Sequence, residues 1–167
     1  FASSVLGARL RTIKTEGNLN NHIGLPLSIL SANSNHQAAV WELGMNHAGE
    51  IAPLAALAKP DCAIITNIGT AHIEHLGSRE AIALEKGMLA EAVEPTGSVI
   101  LPAGDDFAAS IAARCKAKVV WAGIESGDIQ ATNISADNNG TLFSVVFEKQ
   151  THEASITVHG RHMVANA

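Results

Sequence analysis

Short apolar runs alternate with Ala/Leu-rich stretches of helical period through the first 127 residues, and no other feature of the chain restricts its fold so tightly. Ala38-Ala39-Val40-Trp41 and Cys62-Ala63-Ile64-Ile65-Thr66 read as short buried strands, and Ser98-Val99-Ile100-Leu101 and Lys118-Val119-Val120-Trp121 as further strands. Helical segments lie between them at residues 50–58, 78–93 and about 105–115, with earlier ones at residues 2–8 and from Pro26 onward. The 78–93 segment carries the fullest set of helix signals, with Ser78 placed as N-cap and Glu80 in the first turn. Strands that alternate with helices predict an α/β fold, a mostly parallel Rossmann-like sheet flanked by helices. After Gly127 the pattern changes. Three strand-like stretches at about 129–135, 141–148 and 153–158 are joined by Asn138-Asn139-Gly140 and a charged turn. They predict a small antiparallel sheet, residues 128–159, attached to an α/β part, residues 1–127.

Composition narrows the class. Apolar residues make up 47% of the 167 and aromatics only 4%, with no Tyr, so the core is built from Ala, Val, Ile and Leu. A charged fraction of 16% beside that apolar content excludes disorder over most of the length. The net charge of −5, from 11 basic and 16 acidic residues, leaves no basic face for nucleic acid. No apolar run approaches the roughly 20 residues that span a bilayer. Cys62 and Cys115 form no CxxC pair, which argues against a disulfide framework or zinc ribbon and fits a reducing compartment. The opening Phe1-Ala2-Ser3-Ser4 has no Met and no basic segment ahead of an apolar stretch, unlike a signal peptide. The close at Met163-Val164-Ala165-Asn166-Ala167 reads as a helix just begun, so the chain is expected to be an internal fragment of a longer protein.

Ligands of open α/β sheets bind outside the carboxyl ends of the strands. Glu42 ends the first buried strand, and Asn67-Ile68-Gly69-Thr70-Ala71-His72 follows the second. An acid in that place serves either as a Mg²⁺ ligand, since magnesium takes oxygen donors and keeps several waters, or as a brace for loop amides. Lys86 lies on the 78–93 helix with Ile82, Ala83, Leu89 and Ala90 on its face. It either extends its amine to water or works with a shifted pKa. In the second case the neutral amine can add CO₂ to become a carbamate, which exchanges a cation for an oxygen anion. His72 and His75, with His47 and Glu50 as further donors, are a weaker pointer to zinc. No Gly-Lys dipeptide occurs, so a GxxxxGK[ST] phosphate loop is missing from these residues.

The run Thr15-Glu16-Gly17-Asn18-Leu19-Asn20-Asn21-His22-Ile23-Gly24-Leu25-Pro26 resembles a motif of the Mur ligase family. Four more stretches follow in the family's order: Glu42 to Ile51, Thr66 to Glu74, Leu76-Gly77-Ser78 through Glu85-Lys86-Gly87, and Gly160-Arg161-His162. The resemblance covers nearly the whole chain. It implies a truncated central, ATP-binding domain whose phosphate-loop strand is missing, leaving a gap in the sheet.

Carried over position by position, the resemblance implies that Glu42 is the magnesium-binding glutamate and His72 the histidine of a second metal ion. It makes Lys86 the lysine that becomes carbamylated. Asn18, Asn20 and Asn21 match the loop that meets the muramyl substrate, although loop capping alone also accounts for such residues. His162 and Asn166 match the segment that approaches adenine. Met163 departs from the family's Gly-x-His-Asn pattern, and a thioether lacks the amide's donors and acceptor. His75 stands where a smaller residue is common.

The implied activity is ATP-dependent amide ligation in bacterial cytoplasmic peptidoglycan precursor synthesis, with ATP and two Mg²⁺ ions. The Asn-rich loop favours the branch that adds D-alanyl-D-alanine to a UDP-N-acetylmuramoyl-tripeptide through an acyl phosphate. The isolated fragment is expected to be inactive. A sibling Mur ligase, a folylpolyglutamate-type ligase and a noncatalytic module of the same fold are the alternatives.

Overall fold

The computed structural model describes residues 1–167. Two parallel strands, β1 (Thr12–Lys14) and β2 (Ala38–Val40), form a sheet of their own. Six more lie side by side in sequence order in a second sheet: β3 (Cys62–Ile64), β4 (Ser98–Pro102), β5 (Lys118–Ile124), β6 (Ile129–Asp137), β7 (Gly140–Phe147) and β8 (Gln150–Ile156). Pairing is parallel from β3 to β6 and antiparallel from β6 to β8. The expected antiparallel part is present, attached by main-chain pairing as a continuation of the parallel strands.

Helices α1 (Ala2–Gly7), α2 (Gly24–Leu30) and α3 (Ile51–Ala58) accompany the first strands. Then come α4 (Ile73–Leu76), α5 (Arg79–Glu91), α6 (Ala108–Ala112) and α7 (Arg161–Asn166). No helix is long and apolar enough to cross a membrane.

The core lies between α5 and the parallel strands. Val99 and Leu101 of β4 are fully buried, and Ile82, Ala83 and Ala90 of α5 and Ile111 of α6 close over them. Each large aliphatic side chain buried there contributes about 1.5–3 kcal/mol. The helix that supplies this face starts as its sequence dictates. Ser78 is extended (φ −153°) and its side chain accepts a hydrogen bond from the Ala81 N–H at 3.1 Å. Gly87 interrupts a run of good helix formers for a packing reason. A Cβ there would stand 1.8 Å from Arg114 Nη2, because the Arg114 guanidinium lies across α5 to reach Glu91 and the carbonyls of Ala83 and Leu84.

Two strands expected to be buried are only partly so. Ala39 of β2 and both Cys62 and Ile64 of β3 are exposed, Ile64 by 47%. Each strand is hydrogen-bonded on one side only, β2 to β1 and β3 to β4, so the sheet breaks between them. An apolar run reads the same whether its strand is central or at an edge, and the burial expectation fails for that reason.

The step from β5 to β6 is unusual. Parallel neighbours ordinarily need a crossover of a dozen or more residues. Here Glu125–Asp128 suffice, with left-handed backbone at Glu125 (φ 56°) and Gly127 (φ 93°). The Asp128 carboxylate accepts from the Trp121 N–H at 2.9 Å, and a Cβ on Gly127 would fall 2.6 Å from the Trp121 carbonyl oxygen. This tight return is the physical content of the change of pattern after Gly127.

Candidate functional site

The loops at the carboxyl ends of β1, β2 and β3 meet in a cleft of about 620 Å³. Asn18, Asn20 and Asn21 line it from the loop after β1, Asn46 and Glu50 from the loop after β2, and His72 from the loop after β3. The chain thus brings its Asn-rich motif and His72 to one place from segments about 50 residues apart.

Glu42 lies two residues beyond the end of β2. Its N–H donates to Thr15 Oγ1 at 2.9 Å, which fixes its backbone to the end of β1. Its Oε1 accepts from Asn20 Nδ2 at 2.8 Å. Asn20 reaches Glu42 by lying flat on Gly44, where a Cβ would stand 2.7 Å from the Asn20 Cγ. The Gly44 N–H donates to the Asn20 carbonyl at 2.8 Å. Asn20 therefore orients the glutamate, whereas Asn21 caps α2: its Oδ1 accepts from Ile23 N and Gly24 N at 3.1 and 2.9 Å. Asn18 lines the cleft.

His72 has left-handed backbone, φ 65° and ψ 18°. That conformation costs a non-glycine residue about 1 kcal/mol or more, and such strain gathers at functional sites. The loop carrying it is held at three points. Lys86 Nζ donates to the Asn67 carbonyl at 2.7 Å. Arg79 Nε and Nη2 donate to the Ile68 carbonyl at 3.1 and 2.9 Å. The Ile68 N–H donates to Asp105 Oδ2 at 3.0 Å. The Arg79 guanidinium also lies over the Phe107 ring, 4.8 Å from its centre. Asp105→Ala leaves the N–H of Ile68, a residue only 1% exposed, without a partner. The expected loss is about 1–3 kcal/mol of stability, read as a shift in urea unfolding.

Burial pushes the Lys86 amine below the usual lysine range, with Asp105 pulling weakly the other way. Hydrogen bonds from the Asn46 and His47 N–H groups hold the Glu50 carboxyl below the usual carboxylate range. The His47 and His75 rings stand side by side, centres 4.8 Å apart, with Glu50 3.3 Å from His47 Nδ1. No three His, Cys, Asp or Glu side chains form a group able to hold an ion. Glu42, His72 and Lys86 come from three separate elements and do not bond one another.

The donor chemistry nevertheless fits magnesium at Glu42. Its carboxylate is exposed and only one oxygen carries a hydrogen bond, so lone pairs remain for a hard cation. The His72 ring makes no hydrogen bond. An ammonium at Lys86 repels Mg²⁺, whereas a carbamate at the same place attracts it. His162 and Asn166 lie away from this cleft, exposed on α7, whose Val164 is buried and which packs on β5 and β6.

Sequence reasoning missed Arg79, Asp105 and Glu85, whose partners are backbone groups 11 to 37 residues away. For Asp105 a signal existed, since it is an acid placed just after a strand.

A family profile described as the Mur ligase middle domain matches residues 1–167. The UDP-N-acetylmuramoyl-tripeptide–D-alanyl-D-alanine ligase of Bacillus subtilis is 41% identical over 164 residues, 98% of this chain and 35% of that protein. Among solved structures, MurF from Acinetobacter baumannii superposes with TM-score 0.92 at 36% identity, covering 98% of this chain and 36% of its own. MurF ligase from Thermotoga maritima in complex with ADP gives 0.83 at 25% identity, covering 96% and 38%. The chain spans about a third of the length of these relatives. A profile match that runs from end to end makes the chain a member of the Mur ligase family, corresponding to that family's middle domain.

Proposed function

We propose that the whole protein is an ATP-dependent ligase that joins D-alanyl-D-alanine to a UDP-N-acetylmuramoyl-tripeptide in the bacterial cytoplasm. The observation that supports this reading is the convergence of the Asn-rich loop and His72 on one cleft, with Glu42 hydrogen-bonded to Asn20 of that loop, in a chain closely similar to ligases of that name. In the proposed reaction the tripeptide carboxylate attacks the γ-phosphate of ATP, the bond to the β,γ-bridging oxygen breaks, and an acyl phosphate and ADP result. The dipeptide amine then displaces phosphate.

The first step brings two anions together, and bound Mg²⁺ supplies the charge that offsets their repulsion. Glu42 is the residue to hold it, with His72 and carbamylated Lys86 for a second ion. The chain's own contribution is positional. Asn20 and Thr15 fix Glu42, while Arg79, Asp105 and Lys86 fix the loop that carries His72. Asn18 contacts the muramyl substrate, and His162 and Asn166 on α7 approach the adenine.

Phosphate release by the full-length protein tests the reading. It is expected to require ATP, Mg²⁺, the UDP-linked tripeptide and D-alanyl-D-alanine together. Release driven by a single amino acid in place of the dipeptide assigns the protein to a sibling ligase, and none with any acceptor assigns a noncatalytic module. The 167 residues alone are expected to show no micromolar binding of ATP with Mg²⁺ by isothermal titration.

A further inference from the structure

We propose that Glu85 is a positioning residue of this site, a buried carboxylate that fixes the cleft wall formed by residues 44–50 against α5. The proposal rests on the ligase reading above. Glu85 is 6% exposed and directly precedes Lys86. Its Oε2 accepts from the Gly49 N–H at 2.8 Å and its Oε1 from the Ile51 N–H at 2.7 Å. One donor is the first residue of α3 and the other lies two residues ahead of it, both more than 30 residues earlier in the chain. None of the ion pairs in the structure includes Glu85.

A buried carboxylate without a counter-charge is a poor way to gain stability, because taking it out of water costs more than an apolar side chain in the same place. A helix start is satisfied more cheaply by a Ser, Thr, Asp or Asn at its own N-cap. At α3 the N-cap residue is Glu50, and its side chain makes no cap bond there. It turns back to the N–H groups of Asn46 and His47. The cap of α3 therefore comes from a different helix, and it is a tie between elements rather than a local device.

The tie has two consequences. The loop that begins at Glu42 is locked to the residue beside Lys86, so two of the three ion-holding candidates keep a fixed relative position. The amides of Asn46, His47, Gly49 and Ile51 are all consumed by two carboxylates. These four N–H groups of the glycine-containing loop are thus tied down and not open to an anion.

Glu85→Gln in the full-length ligase separates this role from simple stability. Gln keeps the shape and one acceptor but turns an NH₂ toward the second N–H donor. The expected results are faster deuterium exchange at Gly49 or Ile51, a cooperative fold retained, and a Mg²⁺ concentration for half-maximal activity raised about 10-fold or more. Glu85→Asp, which restores the charge, is expected to recover part of the Mg²⁺ dependence.

A purely structural residue would lower the folded fraction and leave the Mg²⁺ dependence of the remaining enzyme unchanged. That result overturns the proposal, as does failure of both variants to fold. A wild-type protein without ATP-dependent phosphate release overturns the ligase reading instead, and the proposal falls with it.

Discussion

Glu42→Gln in the full-length protein is expected to lower kcat/KM for the proposed reaction by about 10²–10³-fold with little change in melting temperature, a loss of about 2.7–4 kcal/mol of transition-state stabilisation. The substitution is informative because of one contact. Asn20 Nδ2 donates to Glu42 Oε1, and the Gln carbonyl accepts that bond equally well. The N–H of residue 42 still donates to Thr15 Oγ1. Position, length and bracing survive, and only the negative charge is lost. Steady-state phosphate release, read beside thermal unfolding, checks it. Near-wild-type turnover would mean that the carboxylate serves only as a brace between the loops after β1 and β2.

Lys86→Ala carries the second large effect, a fall in turnover of similar size, about 10²-fold or more. A direct signature accompanies it. Wild-type protein equilibrated with ¹³C-bicarbonate is expected to show a carbamate carbon resonance that the variant lacks. Carbamylation needs the neutral amine, and burial of Lys86 favours that form.

The sign of the pH dependence follows. Between the lowered folded value and the ordinary lysine value, the unfolded chain binds the Lys86 proton more tightly than the folded chain. The part of the stability linked to Lys86 therefore increases as pH rises through that window and is lost below it. The carbamate signal grows with pH in the same direction at fixed total CO₂ until bicarbonate and carbonate deplete the dissolved gas. A spectrum without a carbamate resonance at any pH, from an active enzyme, would give Lys86 the plain task of holding the Asn67 carbonyl.

The order of strands and helices was legible because its signals are local. Ser78 caps its helix, Val99 and Leu101 alternate inward, and the antiparallel strands follow Gly127. β1 escaped notice because Thr12–Lys14 is three residues long and shows no period.

At the site, Glu42, His72 and Lys86 stood out because each is a chemically unusual residue at a strand end or on an apolar helix face. The residues that hold them did not. Glu85 reads as one more helix glutamate, and only the fold shows that the N–H groups of Gly49 and Ile51, at the entry to α3, come to meet it. Arg79 and Asp105 likewise act on the peptide groups of Ile68, which no spacing rule connects to either of them. Asn20 and Glu42 were each legible as site residues, but their pairing across 22 residues was not.

Diffraction from the full-length protein crystallised with Mn²⁺ and a non-hydrolysable ATP analogue tests the account most directly, because manganese is located by its anomalous signal. Two manganese peaks are predicted, one touching the Glu42 carboxylate and a second touching the His72 imidazole and the carbamate on Lys86. Manganese bound to the analogue with none of these three side chains in its coordination shell would contradict the account.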